Sequence, residues 1–311
     1  TNQAGDLVLS NGSRIVAAKQ ARQEVLVWTD SALYALQYVG APVVWTAQLV
    51  GENISTASQN AVAYANGVAY WMGRDKFYMY DGRTKPLKCD LRKFVFNDFN
   101  EEQYDSVFAG TNESYHEIWW FYCSSDSLVA DRYVVYNYLE QVWYYGTMTR
   151  SAWLDSGLRT NPLAATYTYN LVNQEQGVDD NETGVTAAIP AYITSAQFDL
   201  DDGHKFAFIW RLIPDIRFDD SEAGSPSATM TLLPLTDSGA GYNNPTSVGG
   251  SNSGSITRTA VLPVEQFTDQ LYTRVRGRQL SIKVESNDIG VTWQLGSPRI
   301  DMRPDGRPQR L

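Results

Sequence analysis

Residues 61–82 read AVAYANGVAYWMGRDKFYMYDG, and no other stretch restricts the fold as much. Three short apolar and aromatic runs are broken at Asn66-Gly67 and again at Gly73-Arg74-Asp75. Asn-Gly is the favoured dipeptide of a two-residue hairpin, because both central residues must take positive φ. The same texture runs through EVLVWTDSALYALQYVG (24–40), HEIWWFYCSS (116–125) and DRYVVYNYLEQVWYYGTM (131–148), with turns at Thr29-Asp30-Ser31 and near Leu139-Glu140-Gln141. LYALQY (33–38), FYMYDG (77–82) and YVVYNY (133–138) recur at offsets of about 45–55 residues, the period of propeller blades with four strands each. About three such blades fit. One helix is expected at 100–108, where Asn100 can cap and Glu101 and Glu102 suit the positive helix end.

The texture changes after Leu163. YNLVNQEQGVDDNETGVTAAIP (169–190) is polar and acidic and reads as a long loop or linker. Beyond it, stretches such as LYTRVRGRQLSIKVES (271–286) and GVTWQLGSPRIDMRP (290–304) alternate apolar and polar residues, as strands with one wet face do. Residues 236–258, rich in Gly, Ser and Asn, read as a mobile loop. The expected architecture is all-β: partial β-propeller-like blades over 1–165, an acidic linker over 166–190, and a β-sandwich-like module over 191–311. Aromatic content of 13% supports strands throughout.

Charge narrows the partners. The chain carries 35 acidic and 25 basic side chains, a formal charge of −10. Six of the acids and nine of the bases fall from Arg258 onward, so the tail stands near +3 and the rest near −13. A protein that grips nucleic acid by its phosphates leans the other way. No apolar run is long enough to cross a bilayer as a helix, and no signal peptide is read at Thr1.

Chemistry is narrowed too. Cys89 and Cys123 lie in different strand-like segments and read as reduced, buried thiols. His116 and His204 are the only histidines, and neither belongs to a nucleophile or zinc motif. Asp199-Leu200-Asp201-Asp202-Gly203 is oxygen-rich but has no downstream glutamate at calcium-loop spacing, so it reads as a turn. No cofactor, no metal and no catalytic residue are expected.

SNDIGVTW (286–293) fits the Asp-box turn of sialidases and their propeller relatives. Ser286 and Asp288 are expected to bond turn amides, Gly290 to take positive φ and Trp293 to pack below. The box is a structural turn, and it stands alone here without an arginine cluster for a carboxylate.

Its surroundings carry a resemblance. YTRVRGRQLSIKVESNDIGVTWQLGSPRIDMRPDGR (272–307), AYWMGRDKFYMYDGRTKPL (69–87) and DLDDGHKFAFIWRLIPDIRF (199–218) look similar to the tail nozzle, or tail hub, proteins of short-tailed bacteriophages. The resemblance implies a structural virion protein, not an enzyme: a ring, usually hexameric, assembled in the host cytoplasm and carried in the phage tail. Adaptor and portal proteins would lie above it, needle, plug or fibre proteins below, and genomic DNA would pass through its lumen. Such a ring has more blades than fit here, so its remainder is expected upstream, in a further N-terminal portion, or in another segment.

Within that reading Glu175, Asp179, Asp180, Glu182, Asp199, Asp201, Asp202, Asp215, Asp219, Asp220 and Glu222 are candidates to face the channel, where acidic walls would let a polyanion slide. The alternative for each is ordinary solvated surface. Arg274, Arg276, Arg278, Arg299, Arg303 and Arg307 are candidates to pair with carboxylates of a neighbouring subunit or adaptor. Arg274, Arg276 and Arg278 alternate and are expected on one strand face. The competing function is a carbohydrate-binding or carbohydrate-cleaving propeller for host attachment, supported by aromatic density and abundant carboxylates. A secreted receptor-type propeller is the third.

Overall fold

A computed structural model describes residues 6–155, 157, 161–200, 205–235 and 259–306. The fold is all-β, in small antiparallel sheets. Two compact units divide the chain, Thr1–Gln176 and Gly177–Leu311.

The first unit is a succession of up-and-down meanders. β1 (Ile15–Gln20), β2 (Glu24–Thr29), β3 (Ala32–Tyr38) and β4 (Trp45–Glu52) form one sheet in chain order. β5 (Val62–Ala65), β6 (Val68–Met72), β7 (Phe77–Tyr80) and β8 (Thr84–Leu87) form the second. Its first hairpin closes on Asn66 and Gly67 at φ 48° and 80°, the pair of left-handed residues that the Asn-Gly signal requires. After the short helix α1 (Arg92–Asn97) and a 3₁₀ turn at Glu101–Ser106 comes a third sheet. It comprises β9 (Phe108–Asn112), β10 (Glu117–Tyr122), β11 (Arg132–Asn137) and β12 (Val142–Thr147). The three recurring sequence units fall on β3, β7 and β11, the third strand of each sheet.

A fourth sheet follows, with β13 (Ala152–Leu154), β14 (Leu163–Ala165) and β15 (Leu171–Asn173). It lies partly inside the stretch expected to be a linker. First strands are neighbours from sheet to sheet: β1 meets β5, β5 meets β9 and β9 meets β13. Neighbouring blades of a propeller also meet strand to strand, but among the described residues these sheets close no propeller. Among the described residues no strand pairing closes them into a barrel.

Aromatic rings fill the spaces between sheets. Trp28 of the first sheet meets Trp71 of the second edge-on at 5.3 Å, and Trp71 stacks on Tyr78 at 5.3 Å. Phe77 meets Trp120 of the third sheet at 5.0 Å. Trp119, on the opposite face of β10, stacks on Trp153 of the fourth at 5.0 Å. Every residue of β10 is buried, because sheets cover both its faces. Gly110 is required here. A Cβ on it would fall 2.6 Å from Cγ of Trp153.

The expected helix at 100–108 is instead the 3₁₀ turn, capped by Asn100 through a 3.0 Å bond from the Glu102 amide. Gln103 leaves helical geometry at φ −110° and ψ 28°, and Val107 is already extended ahead of β9, so no longer helix forms. α1 escaped the sequence reading, because its Phe and Val residues look like more strand.

The second unit opens with β16 (Ala191–Thr194), β17 (Phe198–Asp199), β18 (Ala207–Ile213), β19 (Ile216–Arg217) and β20 (Ser227–Leu235). It ends with β21 (Ala260–Glu265), β22 (Leu271–Gly277), β23 (Gln279–Ser286), β24 (Gln294–Leu295) and β25 (Arg299–Pro304). One sheet runs β16-β23-β20-β21, with β17 also on β23; another runs β22-β18-β25, and β19 pairs with β24. The two larger sheets pack face to face: Ile209 and Val275 of one meet Leu232 and Leu280 of the other, and Leu212 joins Met230 and Val284. The alternation that marked these segments is the alternation between core and water. The loop at 236–258 lies outside the described residues.

Candidate functional site

The three-stranded sheet β22-β18-β25 draws on two of the three stretches that carry the resemblance, 199–218 and 272–307. Its inner face supplies Ile209, Val275, Ile300 and Met302 to the core. Its outer face collects arginines and rings. Phe208 on the central strand lies opposite Arg276 on one side and Arg303 on the other. The Arg303 guanidinium sits 5.1 Å from the Phe208 ring centre and 6.0 Å from that of Trp210, and Arg276 lies 4.0 Å over Phe206. Such stacking holds the flat group by its face and leaves its N–H edge outward. Arg276 also donates to Asp305 at 2.6 Å, and Arg211 pairs with Asp301. Arg274 and Arg299 are exposed, and among the described residues neither they nor Arg303 has a carboxylate partner. Tyr272 completes the face at 70% exposure.

Arg278 does not continue this row. β22 ends at Gly277, and Arg278 occupies the bend before β23, its amide bonded to the Leu235 carbonyl at 2.7 Å. The expectation of three arginines on one face therefore holds for Arg274 and Arg276 only. Arg307, Asp201 and Asp202 lie outside the described residues.

The acidic candidates do not form one set. Glu175 belongs to the first unit; the rest belong to the second. Asp179 is committed to the Asp-box turn, where both its carboxylate oxygens accept from the Gly290 amide at 2.8 and 3.0 Å. Asp215 accepts from the Ser297 amide at 2.7 Å. Asp180 caps its own turn by accepting from the Glu182 amide at 2.9 Å, and Asp199 receives the Gln279 amide group at 3.2 Å. Asp219, Asp220 and Glu222 are exposed in one turn.

That turn is bound to the Asp box. Gly290 takes φ 73° as expected, and its carbonyl accepts from the amides of Glu222 and Ala223 at 2.8 and 2.9 Å. The bonds made by Ser286 and Asp288 differ from expectation. Ser286 accepts from Trp293 Nε1 at 2.9 Å, Asp288 from the Ser227 hydroxyl at 3.3 Å, and the turn amide goes to Asp179. A carboxylate 111 residues upstream has taken the role the motif assigns to its own aspartate.

Two features of the first unit were not read from the sequence. Glu117 opens the fully buried strand β10 and accepts from Tyr144 Oη, from Trp119 Nε1 at 2.9 Å and from Asn112 Nδ2 at 3.2 Å. Nearby Glu175 has its carboxyl pushed upward, first by desolvation and then by the Glu117 charge. Burial and the Glu117 hydrogen bond push the Tyr144 phenol far up. An acid leading straight into an all-apolar run, EIWWFY, was the available signal. Each oxygen of Glu117 is occupied by donors from its own sheet, so the arrangement ties β9, β10 and β12 together.

The second feature is a cavity of about 200 Å³ near the loops at one end of the first two sheets, lined by Arg14, Asp30, Arg74, Glu101, Tyr104 and Asp105 among others. Ser13 hydrogen bonds hold the Asp30 carboxyl below its usual range, first through the hydroxyl and then through the amide. Among the described residues no cluster of three or more His, Cys, Asp or Glu side chains is placed to hold a metal, and no helix is long and apolar enough to cross a membrane. Both cysteines are free thiols.

No protein-family model matches the chain, and no curated protein matches it.

Proposed function

We propose that this chain is a structural component of a short phage tail, a nozzle or hub subunit that assembles into a ring and lets DNA pass without gripping it. The observation that carries the reading is that two of the stretches bearing the resemblance are brought together in one sheet. Part of 199–218 forms β18, and 272–307 supplies most of β22 and all of β25, of that sheet, while 69–87 forms most of β6 and all of β7 and β8 in the first unit. Blade-like meanders joined to a second β unit agree with it, as does the charge of −10, which opposes tight hold on a polyanion.

In this reading Asp180, exposed and engaged only in a local turn bond, remains a candidate to face the channel. Asp219, Asp220 and Glu222 are exposed and open either to the channel or to a neighbouring subunit, and the arginine face supplies subunit or adaptor contacts. The test is electron microscopy of the purified chain, where closed annuli with a central hole are expected. A monodisperse monomer that releases reducing sugar from an oligosaccharide would replace the reading with the carbohydrate alternative, for which the Arg14 and Tyr104 cavity is the place to look.

A further inference from the structure

The second unit carries charge at both ends of its central strand. Arg276 and Arg303 flank Phe208 near the start of β18, with Asp305 bound to Arg276; Arg299 lies opposite Ile213 at the other end, and exposed carboxylates lie on the turns beyond it. There the turn at 218–222 and the Asp-box turn are tied through the Gly290 carbonyl and by the Ser221 hydroxyl on the Thr292 carbonyl at 2.7 Å. Asp219, Asp220, Glu222 and Asp288 are all exposed on these two turns, and Arg217 is the only arginine in the stretch from 213 to 224. At ~3.3 Å per strand residue, Phe208 and Pro214 stand about 20 Å apart. That is roughly two Debye lengths in physiological salt, so the two surfaces hardly feel each other within one copy.

Each surface carries free charge opposite in sign to the other's. Arg303 is stacked over Phe208 and Trp210, and among the described residues neither it nor exposed Arg274 has a carboxylate partner, whereas Arg276 is already held by Asp305. An unpaired guanidinium fork matches a carboxylate. Guanidinium groups lie over Phe206 at 4.0 Å and over Phe208 at 5.1 Å, while Tyr272 on the same face stays exposed, so base stacking is the competing use of the face.

We propose that the arginine and aromatic face of β18, β22 and β25 docks onto the carboxylate turns carrying Asp219, Asp220, Glu222 and Asp288 on a second copy of this chain. Because the two surfaces differ, the contact is head-to-tail, and each copy keeps one surface of each kind for the next neighbour. Repetition closes into a ring when the rotation per copy divides a full turn. The inference rests on the ring reading above and names its contact.

The experiment uses the full chain and two charge-reversed variants, R274E/R303E and D219K/D220K/E222K, with size-exclusion chromatography and light scattering at low and high salt. Wild type is expected to form oligomers that shrink as salt rises, and each variant alone to elute at the single-chain mass of 34.8 kDa. An equimolar mixture of the two variants is expected to recover oligomers, since each reversed surface then meets its reversed complement. Misfolded variants would not rescue each other. If rings form and neither variant disturbs them, the contact is wrong and the ring reading stands. A wild type that is monomeric at every concentration and salt removes both. Single-stranded oligonucleotide binding by wild type that vanishes in R274E/R303E, with assembly unchanged, would give the face to nucleic acid and overturn the proposal.

Discussion

Seven of the nine tryptophans and sixteen of the nineteen tyrosines lie in the first unit, whereas the core of the second is made of Ile, Leu, Val and Met with a few rings. The difference follows from how the sheets meet. In the first unit the second and third sheets present both faces to neighbouring sheets, and wide rings bridge the gaps; Trp119 and Trp120 point in opposite directions from one strand into two different cores. In the second unit two sheets share a single interface, which branched aliphatics fill, and the rings go to the surface under arginines. Aromatic side chains thus fill the core in one unit and build an exterior in the other.

The hardest blow to that contrast is Trp120→Ala. Trp120 is fully buried, meets Phe77 at 5.0 Å and donates to the Ala61 carbonyl at 3.1 Å. Truncation is expected to cost about 3–5 kcal/mol, and to fall on the first unit alone. Both cysteines lie in that unit, and burial pushes the Cys89 thiol up to about 12. Thiol labelling during denaturation should therefore accelerate in the variant, while the second unit's transition stays where it was. A common shift of both transitions would show that the units unfold as one.

Leu232→Ala is the matching change in the aliphatic core, where Leu232 is fully buried. A loss of about 2–5 kcal/mol is expected. Intrinsic fluorescence, dominated by the first unit's tryptophans, should barely report it, whereas circular dichroism should. Gly110→Ala comes next at about 1–3 kcal/mol, since the added methyl meets the Trp153 ring and overpacks the third and fourth sheets. Calorimetry would read it as a lowered first-unit transition; an unchanged one would mean that Trp153 moves aside freely.

Glu175→Gln is the smallest. The folded carboxyl is raised above its ordinary value of 4.5 by desolvation and by Glu117. Wild type therefore loses stability as pH climbs from that value through the raised one, because the folded state must then hold the charge. The glutamine variant escapes this, so it should be the more stable protein at neutral pH and equal to wild type at pH below about 4. Glu175 remains partly exposed, which keeps the expected gain under about 1 kcal/mol.

Much of the first unit was legible because its strand order is its chain order. Turn dipeptides and alternating runs then specify both the strands and their partners. The fourth sheet was missed since three-residue strands such as Leu163–Ala165 carry too little pattern to rise above a polar background. At the candidate site the alternation of Arg274 and Arg276 was visible, but their surroundings were not. The rings under the guanidinium groups, the Arg211–Asp301 pair 90 residues apart and the Asp179–Gly290 bond all cross between strands that the sequence does not place side by side. Cross-strand chemistry becomes readable only once register is known.

Ladder order has a further consequence during synthesis. Each of the first three sheets pairs only consecutive strands, so it has every partner it needs within some forty residues of its first strand emerging from the ribosome. The second unit has no such option: β16 waits for β23, and β18 waits for both β22 and β25. Until Pro304 is made, the apolar side of β18 has no completed sheet to sit in, and that unit is the one exposed to aggregation on a stalled or shortened message.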